Sequence, residues 1–243
     1  EAGKYPNKIN EQTKRNYIRG VSLVVILIAS VVITGMAGFW SIDPVYFAER
    51  FRDFLVVISI IYFIYLLLFA GLTANEKKNV LMLLLLFIGA AAFWCGFDQS
   101  AGSLTIFTRD YVNLTFGTFT APVSWTQFVN PLVVVMFAPF FAYLWVFLGK
   151  RNLDPNMPIK FGLGLILMAL GFIVMILAVK YALASSPVGV QWLLLTYLLH
   201  TFGELTLSPV GLSAFSKYSP KRYLGQMMGI WFLASSLGGV LAG

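Results

Sequence analysis

Histidine and cysteine are almost missing from this chain: each occurs once among 243 residues, as His200 and Cys95. A lone cysteine cannot form an intrachain disulfide, and so few imidazole and thiolate groups cannot build a clustered metal site. Cys95 stands in an apolar run and reads as a small packing residue. Carboxylates are also scarce, ten Asp and Glu in all, and charged residues make up only 11% of the chain. A soluble domain carries about 25%. A secretory signal is not apparent either: the first residues are polar, and the first apolar run is too long for a signal core.

What is abundant is apolar surface. Hydrophobic residues make up 59% of the chain, aromatic residues 16%, and the mean hydropathy is +0.82. A bilayer is crossed by about 20 consecutive apolar residues. Spans are predicted at 18–40, 54–73, 79–107, 123–149, 159–184, 190–216 and 224–243, giving an all-α polytopic membrane bundle. The seventeen Lys and Arg residues fall unevenly around these spans. Thirteen lie on one side, before the first span and in alternate connectors, for example Lys77, Lys78, Lys150, Arg151, Lys217, Lys221 and Arg222. The four on the other side are Arg50, Arg52, Arg109 and Lys180. The positive-inside rule places the richer side, and the first residue, in the cytoplasm. The basic excess therefore reports topology rather than a nucleic-acid surface. The orientation also excludes a seven-helix receptor, which begins outside.

Residues 1–17 read as a cytoplasmic linker, 18–74 as a pair of transmembrane helices joined by SIDPVYFAERFRD, and 75–243 as the main bundle. A longer outside loop is expected at about 108–122. Pro131 and Pro139 are expected to kink the fourth span, and Gly162, Gly164 and Gly171 to let the fifth approach its neighbours closely. The chain opens without Met and stops inside the apolar run LASSLGGVLAG, so it reads as an internal portion of a larger transport-type protein.

Only two carboxylates, Asp98 and Glu204, fall well inside predicted spans. Such groups face a cavity, pair with a cation or carry a proton, the bland alternative being a structural ion pair. Neither has an obvious cation in the spans. Arg109 and Lys180 lie near helix ends, and Lys217 is about 20 Å beyond Glu204 along a helix. Ser208 follows Glu204 by one turn and His200 precedes it by one, so the three share a face. His200 suits a proton relay or a hydrogen-bonded structural role. Pro209 and Gly211 suggest a hinge. The same spacing pairs Trp94 with Asp98 and Trp231 with Ser235, setting an aromatic wall beside a polar group in each case.

The run GELTLSPVGLSAFSKYSP followed by GQMMGIWFLA, with FWCGFDQSAGSL and SWTQFVNP before it, resembles the proton-coupled oligopeptide transporter (POT/PTR) family of the major facilitator superfamily. The resemblance covers essentially the whole chain. It implies a carboxyl-terminal six-helix half, incomplete at its end, preceded by the two accessory helices of bacterial members. It implies further that Glu204 binds the amino terminus of a di- or tripeptide and takes part in gating, that Asn130 contacts the same end, and that Trp94, Ser208, Trp231 and Ser235 form a side-chain pocket. Asp98 matches a gating carboxylate that is commonly Glu. The family's ExxER motif and fourth-helix lysine are not found in this chain. The implied protein is not an enzyme and has no metal or cofactor beyond coupling protons. It would work in the bacterial inner membrane with the amino-terminal half of the same protein, importing peptides by alternating access, with peptides, protons and the lipid bilayer as partners and no nucleic acid. Alternatives are the same fold carrying another solute such as nitrate, a non-transporting peptide sensor, and an intramembrane aspartyl protease. The last needs two carboxylates sharing a site, and the chain has no GxGD motif.

Overall fold

The computed structural model describes residues 11–36, 43–185 and 187–243. Residues 1–10 of the expected linker and 37–42 at the end of the first expected span lie outside the described residues. The chain divides into two compact units, residues 1–50 and 51–243. The first contains α1 (Glu11–Met36) and the opening turns of α2 (Pro44–Ile64). Polarity had placed the start of the first helix at residue 18, but hydrogen bonding carries α1 back to Glu11. Likewise most of the expected connector SIDPVYFAERFRD is the start of α2.

The second unit continues α2 into a π-helical turn, Tyr65–Phe69, and then runs through α3 (Ala74–Phe97), α4 (Ser103–Tyr111), α5 (Val129–Lys150), α6 (Met157–Ser185), α7 (Gln191–Tyr218) and α8 (Leu224–Ala242). Six helical segments among the described residues are long and apolar enough to cross a membrane. The predicted span that is not among these six, 190–216, corresponds to α7. Its 28 residues would reach about 42 Å, but His200, Glu204 and its threonines make it less apolar than the others. It can be so because it is enclosed: α7 packs against α3, α5, α6 and α8, and Thr196, His200, Thr201 and Thr206 are all at most 1% exposed.

Local chemistry sets the helix ends. Thr73 and Glu76 form a reciprocal capping box that starts α3. α5 ends in a Schellman motif: the Leu153 N–H donates to the Leu148 carbonyl and the Asn152 N–H to that of Gly149, with Asn152 at φ 55°. α3 stops at Phe97, and a 3-10 turn, Asp98–Ser100, leads to α4. Asp98 therefore marks a break in the helix rather than its interior. Pro131 lies in the first turn of α5, where a missing N–H costs little. Only Pro139 is interior to that helix, and α5 runs through it.

The predicted loop at 108–122 is partly ordered into two-residue strands. β2 (Thr115–Phe116) and β3 (Phe119–Thr120) form a hairpin around Gly117, at φ +64°. β1 (Val112–Asn113) pairs in parallel with β4 (Val188–Gly189), tying the end of α4 to the α6–α7 connection. The all-α reading stands, these four strands being confined to connectors.

The contact between α6 and α7 is the most extensive in the unit, and glycine sets its closeness. A Cβ on Gly164 would sit 2.7 Å from Leu207 Cβ and 2.9 Å from the Gly203 carbonyl oxygen, and one on Gly171 would meet the His200 ring at 2.4 Å. Gly162, expected to act likewise, has nothing within 4 Å of such a Cβ. Gly164→Leu should therefore destabilise the unit by about 1–3 kcal/mol through overpacking, while Gly162→Leu should stay within about 0.5 kcal/mol of wild type. Thermal unfolding of the two variants in detergent measures the difference, and equal melting temperatures would contradict it.

Candidate functional site

α7 carries Glu204 and Ser208 on one face, one turn apart. α3 and α8 pack against each other and against α7, bringing Trp94 from α3 and Trp231 and Ser235 from α8 to that face. Between them lies a cavity of about 550 Å³ lined by Trp94, Glu204, Ser208, Pro209, Leu212, Trp231, Phe232 and Ser235. Five of the six predicted binding residues thus meet around one space. The sixth, Asn130, holds the carboxylate from α5: its Nδ2 donates to Glu204 Oε2 at 3.0 Å.

Thr201 escaped the sequence reading. Its Oγ1 accepts from the same Asn130 Nδ2 at 3.0 Å and donates to the Tyr197 carbonyl at 2.7 Å. The side-chain amide is therefore fixed by two acceptors before any ligand arrives. The helical spacing that selected Ser208 also contained this residue, three positions before Glu204.

Pro209 has no N–H to give the Leu205 carbonyl, so the ladder of α7 lacks one bond beside Glu204. The helix nevertheless continues to Tyr218. Gly211, read as part of a hinge, serves a close approach instead. A Cβ there would lie 2.2 Å from the Trp231 ring. Trp231 is buried over this glycine, 5.5 Å from the Phe215 ring, and contributes only part of its surface to the cavity. Ser208 Oγ is buried and has no hydrogen-bond partner among the described residues.

Two predicted groups lie elsewhere. His200 does not extend the Glu204 face into the cavity. It turns toward α6, against Gly171 and 5.0 Å from the Phe172 ring. Both its ring nitrogens are buried without a well-formed hydrogen bond among the described residues, the Met168 backbone on α6 being the polar group that interacts with the ring. Asp98 does not line the cavity either. One of its oxygens lies against α8, 2.8 Å from where a Cβ on Gly239 would stand. Trp94 and Asp98 are joined through backbone, the Asp98 N–H donating to the Trp94 carbonyl as α3 closes. The two carboxylates occupy separate surroundings, with no shared site of the kind a protease requires.

Among the described residues no Lys or Arg lies within ion-pair distance of Glu204 or Asp98. The cavity is otherwise walled by aromatic and aliphatic groups, with hydroxyls from Ser208 and Ser235. Such a site suits a ligand bearing one cation and an apolar body.

The family model described as the POT family matches residues 8–243. The chain is 35% identical over 229 residues to the peptide transporter YePEPT of Yersinia enterocolitica, covering 93% of this chain and 44% of that protein. It is 33% identical over 245 residues to a di-/tripeptide transporter of Lactococcus lactis, covering 97% and 48%. Its fold matches the crystal structure of the peptide transporter POT in complex with sulfate with a TM-score of 0.80 at 31% identity, covering 99% of this chain and 48% of that one. The chain spans about half the length of the curated relatives it matches. Matched almost end to end by the family model and more than 30% identical to relatives across nearly its whole length, the chain belongs to the POT family.

Proposed function

We propose that the protein imports di- and tripeptides across the bacterial inner membrane together with protons, by alternating access, and that this chain forms the carboxyl-terminal part of the pathway. The observation that carries the proposal is Glu204: a carboxylate facing a mostly apolar cavity, oriented by one neutral amide and open to an external cation. The ammonium of a peptide supplies that cation. A charge-assisted hydrogen bond to it is about twice as strong as a neutral one. The peptide's side chains then lie against Trp94, Trp231 and Phe232, while Ser208 and Ser235 offer hydroxyls to its polar atoms. Relatives named as peptide and di-/tripeptide transporters support this substrate class.

Alternating access needs the carboxylates to change partners. On this reading Glu204 and Asp98 pair with cations of an amino-terminal half in the empty protein. Peptide and proton then compete for those carboxylates, releasing one gate as the other closes. Helices α1 and α2 are the accessory pair, and the basic-rich connectors face the cytoplasm.

Two measurements on the intact protein in liposomes test the assignment. With an inward proton gradient and labelled dialanine, Glu204→Gln should abolish gradient-driven accumulation, since the amide keeps the shape of the side chain without its charge. Near-normal accumulation would remove Glu204 from this role. Asn130→Ala should raise the KM for dialanine about tenfold, corresponding to a charged hydrogen bond of roughly 1.5 kcal/mol, and leave folding intact. An unchanged KM would mean that orientation of Glu204 does not depend on Asn130.

A further inference from the structure

A second pocket, of about 470 Å³, lies at the opposite end of α7 from its first turn, lined by Glu76, Asn79, Lys217, Tyr218, Ser219, Pro220, Lys221 and Arg222. It has three cations and one carboxylate, and that carboxylate is already engaged: Glu76 Oε2 accepts from the Thr73 N–H at 2.8 Å and its hydroxyl at 2.9 Å. Neither Lys217 nor Lys221 has an ion-pair partner among the described residues.

Arg222 is held in place. Its Nη2 donates to the Ala70 carbonyl and, at 2.9 Å, to that of Gly71, the acceptors left open where the π-helical turn of α2 ends. Its guanidinium also stands 5.1 Å from the Tyr223 ring centroid. Nε and Nη1 have no protein acceptor among the described residues, so three N–H donors remain on a fixed plane. A planar guanidinium with free donors beside two ammonium groups is the chemistry that recognises a phosphate.

The surroundings indicate which phosphate. Leu68 and Phe69, 67% and 75% exposed, immediately precede the carbonyls that hold Arg222. An apolar, lipid-facing surface therefore adjoins the basic pocket at the end of the bundle, as at headgroup depth in a bilayer. We propose that this pocket binds the phosphate of an anionic phospholipid headgroup, with an acyl chain lying along Leu68 and Phe69. Basic pockets between transmembrane helices hold such headgroups elsewhere.

Native mass spectrometry of the intact protein, released from phosphatidylcholine micelles doped with phosphatidylglycerol, tests this. The wild type should retain phosphatidylglycerol in preference to phosphatidylcholine. The preference should fall about fivefold for each of Lys217→Gln and Lys221→Gln, with melting temperatures unchanged. Lys150→Gln, at the end of α5 and outside the pocket, serves as the control and should leave the preference intact. A preference unaffected by the two pocket substitutions, or lowered equally by the control, would overturn the site. Displacement of the lipid by inorganic phosphate would overturn the headgroup assignment in favour of a free anion.

Discussion

A carboxylate halfway along a membrane helix cannot face lipid, and most of this bundle's arrangement follows from that single constraint. Polar groups in hydrocarbon must be satisfied or shielded. Glu204 is on α7, and α7 is the helix that others surround. Close packing on one side leaves room for the cavity on the other. Gly164 and Gly203 bring the backbones of α6 and α7 together, and Gly171 receives the His200 ring. On the cavity side Gly211 seats Trp231, and Gly238 allows α8 to meet α3 near Trp94. Small residues concentrate where helices must touch, and bulk is kept for the wall a ligand meets.

The remaining polar groups of α7 show how the same constraint is met without a partner helix. Thr196, Thr201 and Thr206 each donate to the carbonyl one turn earlier, those of Trp192, Tyr197 and Phe202. A hydroxyl that bonds its own helix is no longer an unsatisfied group. Ser208 makes no such bond, although it too has a carbonyl one turn back, at Glu204. Ser208 lines the cavity, and its hydroxyl has no hydrogen-bond partner among the described residues. The threonine hydroxyls of α7 are thus spent within the helix, whereas Ser208, on the cavity face, keeps its hydroxyl free.

The spans and the ring of cavity residues were legible in the sequence because each depends on short-range pattern: apolar run length and a four-residue helical spacing. The family motifs supplied the long-range pairing of α3 with α8 that periodicity cannot give. What was misread depends on things pattern does not contain. Polarity marks where water begins, whereas a helix ends where its hydrogen bonds end, so α1 starts seven residues before the apolar run. A glycine's role depends on its neighbour, so Gly162 and Gly164 look alike in sequence and differ in contact. His200 and Glu204 share a spacing, yet four residues overshoot the 3.6-residue turn by about 40°. That offset, with the gap at Gly171, is enough to send the imidazole to α6.

The separate settings of the two membrane carboxylates suit separate tasks. Glu204 is braced from α5 by Asn130 and faces a space large enough for a small peptide, so its charge is positioned for a ligand. Asp98 stands where α3 ends, against the smallest possible surface of α8 at Gly239, with no brace on its side chain among the described residues. Any larger residue at 239 would collide with it. The Asp98 backbone is tied to the end of α3 and to the 3-10 turn that follows, while its side chain, which makes no hydrogen bond among the described residues, reaches α8 and so meets both helices. On the proposed function, one group is held still to recognise a ligand, and the other is placed where relative motion of two helices would change what it can reach. Coupling occupancy to gating requires both properties, and on that reading they are divided between two positions.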